Sequence, residues 1–164
     1  MKNKAIFLDR DGVLNHEIYD YISRLEDFEI LEYQIPPLKK LYDEGYLLII
    51  ITNQGGIAKG KYTEETLAEM HKVLFDKYEE HGVKITHAYY CPHHPTISEC
   101  ECCKPKPGML LEAIATYNID PAQSIMIGDK PRDVEAGNGA GVKGILIAPD
   151  EQIKYEKIKE VLAS

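Results

Sequence analysis

Five short aliphatic or β-branched runs recur along the chain, at residues 5–9, 47–53, 85–91, 124–129 and 144–148. Runs of this length and makeup suit strands of a parallel sheet that is covered on both faces. Stretches with helical spacing lie between them. Residues 36–44 carry Leu38 and Leu41 ahead of Gly45, a helix stop. Residues 63–81 begin with Thr63 as a cap and two glutamates, then place Leu67, Met70, Val73, Leu74 and Tyr78 on one side. Residues 107–118 open on Pro107 and turn Leu110, Leu111 and Ile114 inward. A short helix is expected at 132–137 and a last one at 150–162. Strand–helix alternation predicts one α/β domain over residues 1–164, a parallel sheet flanked by helices. At 164 residues such a domain buries roughly two-thirds of its surface and needs no disulfide staples.

The chain holds 19 basic and 27 acidic side chains, a formal net charge of −8. No basic stripe offers itself to a nucleic-acid backbone, so nucleic acid is not expected as the main partner. The longest strongly apolar run, residues 46–51, is far too short to span a bilayer. The N-terminal stretch turns acidic at Asp9 before a signal core develops. A cytoplasmic protein without a membrane partner is expected, and a monomer. An acidic chain can still bind a phosphorylated small molecule if positive charge gathers at one place.

In a parallel α/β sheet, ligands sit at the carboxyl ends of strands. The first strand emerges as Asp9-Arg10-Asp11-Gly12. Two carboxylates spaced by two share a face while the chain stays extended, and they repel unless a cation intervenes. Mg²⁺ suits an oxygen-rich site that also holds phosphate. The second strand ends in Thr52-Asn53-Gln54-Gly55-Gly56, a hydroxyl, amides and glycines suited to phosphate oxygens. The fourth ends in Asp129-Lys130, with Asp133 three residues on as a metal ligand or a helix cap, a cap or a support to the site being favoured. Lys104 stands at the entrance of the 107–118 helix as a point charge.

All four cysteines lie within residues 91–103, in the segment Cys91-Pro-His93-His94-Pro-Thr-Ile-Ser-Glu-Cys100-Glu-Cys102-Cys103. Clustered thiols with an imidazole point to tetrahedral Zn²⁺, and four protein ligands make such a site structural. Cys91, His93, Cys100 and Cys102 form one set. His94 in place of His93, or Cys103 in place of Cys102, stays open.

Taken in order, Phe7-Leu-Asp-Arg-Asp-Gly-Val-Leu14, Thr52-Asn53, Lys104 and Gly128-Asp129-Lys130 with Asp133 resemble the motifs of the haloacid dehalogenase (HAD) superfamily, subfamily IIIA. The resemblance implies a Rossmann-type fold and phosphoric monoester hydrolysis. It makes Asp9 the nucleophile, Asp11 the general acid and base, and Thr52 and Lys104 the holders of the phosphoryl oxygens. It gives Mg²⁺ to Asp9, Asp11 and Asp129. Neither residues 12–51 nor 55–103 leave room for a cap domain, so loops must frame the pocket.

The cysteine loop just before Lys104 narrows the resemblance to two families, the heptose-bisphosphate phosphatases and the histidinol-phosphate phosphatases. Thr52-Asn-Gln-Gly-Gly-Ile-Ala-Lys-Gly60 and Lys104-Pro-Lys-Pro-Gly-Met109 are more similar to the heptose family. That likeness implies a small sugar phosphate as substrate. Its contacts would be Glu17, Tyr19, Asp20, Thr52, Asn53, Gln54, Gly55, Cys103, Lys104 and Lys130, and the zinc ligands Cys91, His93, Cys100 and Cys102. The heptose family commonly has an arginine where this chain has Cys103, and a thiol does not replace a guanidinium fork. Six residues between His93 and Cys100 are closer to the histidinol-phosphate pattern. A phospho-accepting signalling domain and a nucleic-acid 3′-phosphatase are the remaining readings. Asp11 speaks against the first and the acidic balance against the second.

Overall fold

The central strand, β1 (Lys4–Leu8), is apolar on both faces, and the rest of the molecule is arranged around it. The computed structural model describes residues 1–164. β1 pairs in parallel with β2 (Tyr46–Asn53) on one side and with β4 (Ile125–Gly128) on the other. β3 (Ile85–Cys91) and β5 (Lys143–Leu146) extend the sheet, giving the order β3-β2-β1-β4-β5, all parallel. The strand order reverses beside β1, which opens a crevice at the carboxyl ends of β1, β2 and β4.

Alternation along β1 divides the core. Ile6 and Leu8 face one layer with Leu48, Ile50, Ile125 and Ile127, whereas Ala5 and Phe7 face the other with Ile49, Ile51 and Met126. The first layer is covered by α1 (Ile35–Asp43), α2 (Glu64–Glu79) and α5 (Tyr155–Ala163), through Leu38, Leu41, Met70, Leu74, Tyr78 and Ile158. The second is covered by α3 (Gly108–Thr116) and α4 (Pro131–Gly139), through Met109, Leu110, Ala113 and Ala136. Thr63 caps α2 as expected, its Oγ1 accepting from the Thr66 amide at 3.2 Å. The five strands and five helices occur in the expected order, and no cap domain interrupts them.

Some expectations change. Val73 and Leu111, expected on the inward faces of α2 and α3, are exposed. α5 begins at Tyr155, not at 150. Asp150 has φ +65° and its carboxylate is held by His16 and by the Glu17 amide. Gln34, wholly buried, then accepts from the Ile153 amide and donates to the Glu151 carbonyl, which keeps this stretch out of a helix. The chain also does not stay extended from Asp9 to Asp11. The amides of Val13, Leu14 and Asn15 all turn back onto the Arg10 carbonyl.

Candidate active site and metal centres

The end of β1 delivers Asp9 into the crevice. Its Oδ1 accepts from the Arg10 amide at 2.9 Å and from Lys104 Nζ at 2.9 Å. Burial pushes the Asp9 carboxyl up to about 8, Lys104 opposes this, and Asp133, Asp11 and Asp129 add to it. Lys104 is itself buried, which alone would lower its pKa. Asp9 and Asp133 outweigh that and keep it above its ordinary value. The Lys104 ammonium also lies 2.6 Å from Asp133 Oδ1 and donates to the Ile51 carbonyl at 2.8 Å. Its backbone is locked to the end of β2: Asn53 Nδ2 donates to the Lys104 carbonyl at 3.1 Å, and the Lys104 amide donates to Asn53 Oδ1 at 3.0 Å.

Asp11 reaches the same cleft through the turn. Burial raises its pKa, but the Arg10 guanidinium and hydrogen bonds from Asn15, Arg10 and Gln54 hold it below the carboxylate range. Arg10 Nη2 lies 2.8 Å and Asn15 Nδ2 2.9 Å from Asp11 Oδ1, and Gln54 Nε2 lies 3.3 Å from Oδ2. Thr52 is buried beside them, its Oγ1 accepting from Gln54 Nε2 at 2.9 Å. Tyr62 donates to Gln54 Oε1 and fixes that amide.

At the end of β4, Asp129 is buried and its Oδ1 has no hydrogen-bond partner. Burial raises its pKa, with Lys130 opposing. Lys130 Nζ lies 3.3 Å from Asp129 Oδ2 and 3.4 Å from Glu17 Oε2. Asp133 caps α4, its Oδ2 accepting from the Lys130 amide at 3.1 Å, while Oδ1 faces Lys104. It thus serves as cap and as support at once. Gly128 permits this approach, since a Cβ there would stand 2.2 Å from Asp133.

Carboxylate oxygens of Asp9, Asp129 and Asp133 lie within 4.8 Å of one another. A buried, unpartnered Asp129 oxygen facing a second buried carboxylate is a donor set that fits a hard divalent cation such as Mg²⁺. Asp133 is engaged at both oxygens, by Lys104 and by the helix cap, whereas Asp9 uses only Oδ1 for Lys104 and Arg10 and Asp129 keeps Oδ1 unpartnered, so Asp9 and Asp129 have an oxygen to offer.

Asp9, Asp11, Glu17, Tyr19, Asp20, Asn53, Gln54 and Lys130 all line one cleft of about 440 Å³. Gly55, Cys103 and Lys104 line an adjoining cavity of about 240 Å³. The structure therefore gathers the expected site residues, with one reservation of role. The Cys103 sulfur is turned toward the other cysteines, 2.6 Å from Cys91 Sγ and 3.1 Å from Cys100 Sγ, while the residue lines the cavity beside Lys104. Arg10, Asn15 and Tyr62 were not anticipated. Arg10 sits in the first motif, but nothing in the sequence marks it as fully buried, stacked on Phe28 with its guanidinium 5.0 Å from the ring.

The four thiols of Cys91, Cys100, Cys102 and Cys103 lie within 4.8 Å of one another. His93 Nδ1 approaches Cys91 Sγ at 3.5 Å and Cys102 Sγ at 3.3 Å. His94 is turned away, its Nδ1 bonded to Thr96 Oγ1 at 2.7 Å. Four thiols at this spacing, with an imidazole nitrogen against two of them, offer a tetrahedral Zn²⁺ one donor more than it needs.

Comparison with known proteins agrees with this geometry. Residues 101–156 match the HAD-hydrolase-like family model. The D-glycero-beta-D-manno-heptose-1,7-bisphosphate 7-phosphatase of Haemophilus ducreyi is 44% identical, covering 98% of this chain and 91% of that protein. The D-glycero-alpha-D-manno-heptose-1,7-bisphosphate 7-phosphatase of Campylobacter jejuni is 38% identical, covering 99% of this chain and 95% of its own. Among solved structures, the D,D-heptose 1,7-bisphosphate phosphatase of B. bronchiseptica, complexed with magnesium and phosphate, superposes with a TM-score of 0.84 at 28% identity, covering 98% of this chain and 86% of its own. With near-full-length identity of this order, and with Asp9, Asp11, Lys104 and Asp129 brought to one crevice, the chain belongs to the heptose-1,7-bisphosphate 7-phosphatase family of HAD-type hydrolases.

Proposed function

We propose that this protein removes the 7-phosphate of D-glycero-D-manno-heptose 1,7-bisphosphate in a Mg²⁺-dependent reaction through an aspartyl-phosphate at Asp9. The observation that carries this reading is the buried Lys104 ammonium, 2.9 Å from the Asp9 carboxylate, which lines the same cleft as Asp11. A carboxylate nucleophile and a phosphoester are both anionic, and a fixed cation beside the nucleophile offsets their repulsion. An Asp9 oxygen attacks phosphorus as the ester P–O bond breaks, and the Asp11 carboxyl gives its proton to the leaving sugar oxygen. Asp11 carries a depressed pKa until substrate arrives, and the incoming phosphate charge raises it. The Asp11 carboxylate then takes a proton from water, which attacks the same phosphorus and restores Asp9. Thr52 and Lys104 hold the phosphoryl oxygens through both halves. When bound at Asp9, the Asp11 carbonyl and Asp129, Mg²⁺ supplies charge neutralisation for the phosphoryl group.

Zn²⁺ serves structure. Cys91, Cys100 and Cys102 supply three ligands and His93 or Cys103 the fourth, fixing a loop that has little regular structure between β3 and Lys104. One relative is named for the beta anomer and another for the alpha anomer, so both belong in the assay. The test is phosphate release from each heptose bisphosphate anomer and from histidinol phosphate, with Mg²⁺ supplied. A heptose preference supports the reading. Faster release from histidinol phosphate overturns the substrate and leaves the chemistry.

A further inference from the structure

A substrate with two phosphates requires two cationic sites, one at the reacting phosphorus and one remote from it. The first is accounted for by Lys104. The cations around the cleft are few, and most are already paired. Lys104 is held by Asp9 and Asp133, Lys130 by Asp129 and Glu17, and Arg10 by Asp11. Arg132 is the exception. It forms no ion pair and no hydrogen bond to protein, it is exposed, and it lines both the 440 Å³ cleft of Asp9 and the adjoining 240 Å³ cavity of Lys104.

Its placement is fixed by the same strand end as the metal site. Pro131 and Arg132 form the first turn of α4, which Asp133 caps. The residue is anchored at its backbone, while its side chain is free to turn toward either cavity. The helix dipole adds positive potential at that end. Residue 103 offers no competing cation, because its thiol belongs to the sulfur cluster.

We propose that Arg132 is the specificity-determining residue of this enzyme, its guanidinium gripping the phosphate that is not cleaved. The inference rests on the heptose-bisphosphate reading above. A planar fork binds a terminal phosphate by two parallel N–H···O contacts, which a lysine ammonium does not reproduce. The contact is made in ground state and transition state alike, so its loss raises KM more than it lowers kcat.

The test compares kcat/KM for the heptose 1,7-bisphosphate with that for the heptose 7-monophosphate, in wild type, Arg132→Ala and Arg132→Lys. Wild type should prefer the bisphosphate. Arg132→Ala should cut that preference by about 10- to 100-fold, carried by KM, the scale of one charge-assisted contact. Arg132→Lys should recover part of it. Should wild type show no preference for the bisphosphate, the substrate reading fails and this inference goes with it. Should wild type prefer the bisphosphate while Arg132→Ala keeps that preference, or loses both substrates equally, Arg132 alone is overturned.

Discussion

The Lys104 ammonium and the Asp133 carboxylate meet at 2.6 Å with both side chains almost wholly buried. Lys104 thereby bridges the end of β1, through Asp9, to the start of α4. Removing one partner of a buried pair leaves an uncompensated charge and costs about 3–5 kcal/mol. Asp133→Asn should lower the thermal midpoint by several degrees and reduce kcat at least tenfold, since Lys104 then keeps Asp9 as its one counter-charge. Wild-type stability and turnover in that variant would remove Asp133 from the site.

Gly12 follows Asp11 with φ +82°, and a Cβ there would stand 2.2 Å from Asp129 Oδ2. Gly12→Ala therefore meets both backbone strain and a clash with a metal-facing carboxylate. The expected result is a loss of Mg²⁺ affinity and activity of at least tenfold. A Mg²⁺ titration of activity checks it, and an unchanged titration curve would refute the crowding of Gly12 against Asp129.

The zinc loop holds more donors than a tetrahedron needs. Cys100→Ser should abolish zinc binding and lower stability, with activity falling as a consequence. His93→Asn and Cys103→Ser should each retain one zinc per chain, because the remaining donor completes the shell, and the double variant should hold none. Elemental analysis reads this directly. Loss of zinc in either single variant would identify that residue as an obligatory ligand.

His71 on α2 is buried behind the site, with Arg10 Nη1 3.4 Å from its Nε2. Arginine only donates, so the histidine ring accepts there and is neutral. Burial, with Arg10 adding to it, lowers the His71 pKa to about 3, against about 6.5 when unfolded. The unfolded chain then binds the extra proton, so stability falls as pH drops below about 6.5 and this contribution levels off near 3. The slope from this one group is up to about 1.4 kcal/mol per pH unit. His71→Gln should flatten the acid limb relative to wild type in denaturant unfolding at pH 7, 6 and 5. Parallel curves for the two proteins would contradict a neutral His71.

Much of this was legible beforehand. The aliphatic runs in residues 5–9 and 47–53 are buried on both faces, and such strands are recognisable from composition alone. The motif residues at strand ends converge because a parallel sheet brings those ends together. What the sequence did not disclose depends on tertiary contacts. Arg10 looks like a surface charge between two aspartates, but it is enclosed by Phe28, Met70 and His71 from distant segments. Asp133 reads as a cap, and its second bond to Lys104 exists only once α4 packs beside the end of β1. Residues 150–154 have helical composition, but Gln34 and His16 hold them in an irregular path outside the helix. Cys103 lines the cavity beside Lys104, and its sulfur also joins the other three, a contact that the spacing of the cysteines left open.

The central claim is that Asp9 carries the phosphoryl group during turnover. Rapid acid quench of the protein with heptose 1,7-bisphosphate and Mg²⁺, followed by peptide mass spectrometry, tests it directly. The account predicts a hydroxylamine-sensitive phosphoryl group on the peptide containing Asp9, formed and lost within one turnover and absent from Asp9→Asn. Phosphate release by Asp9→Asn at the wild-type rate, with no phosphorylated peptide at any quench time, would contradict it.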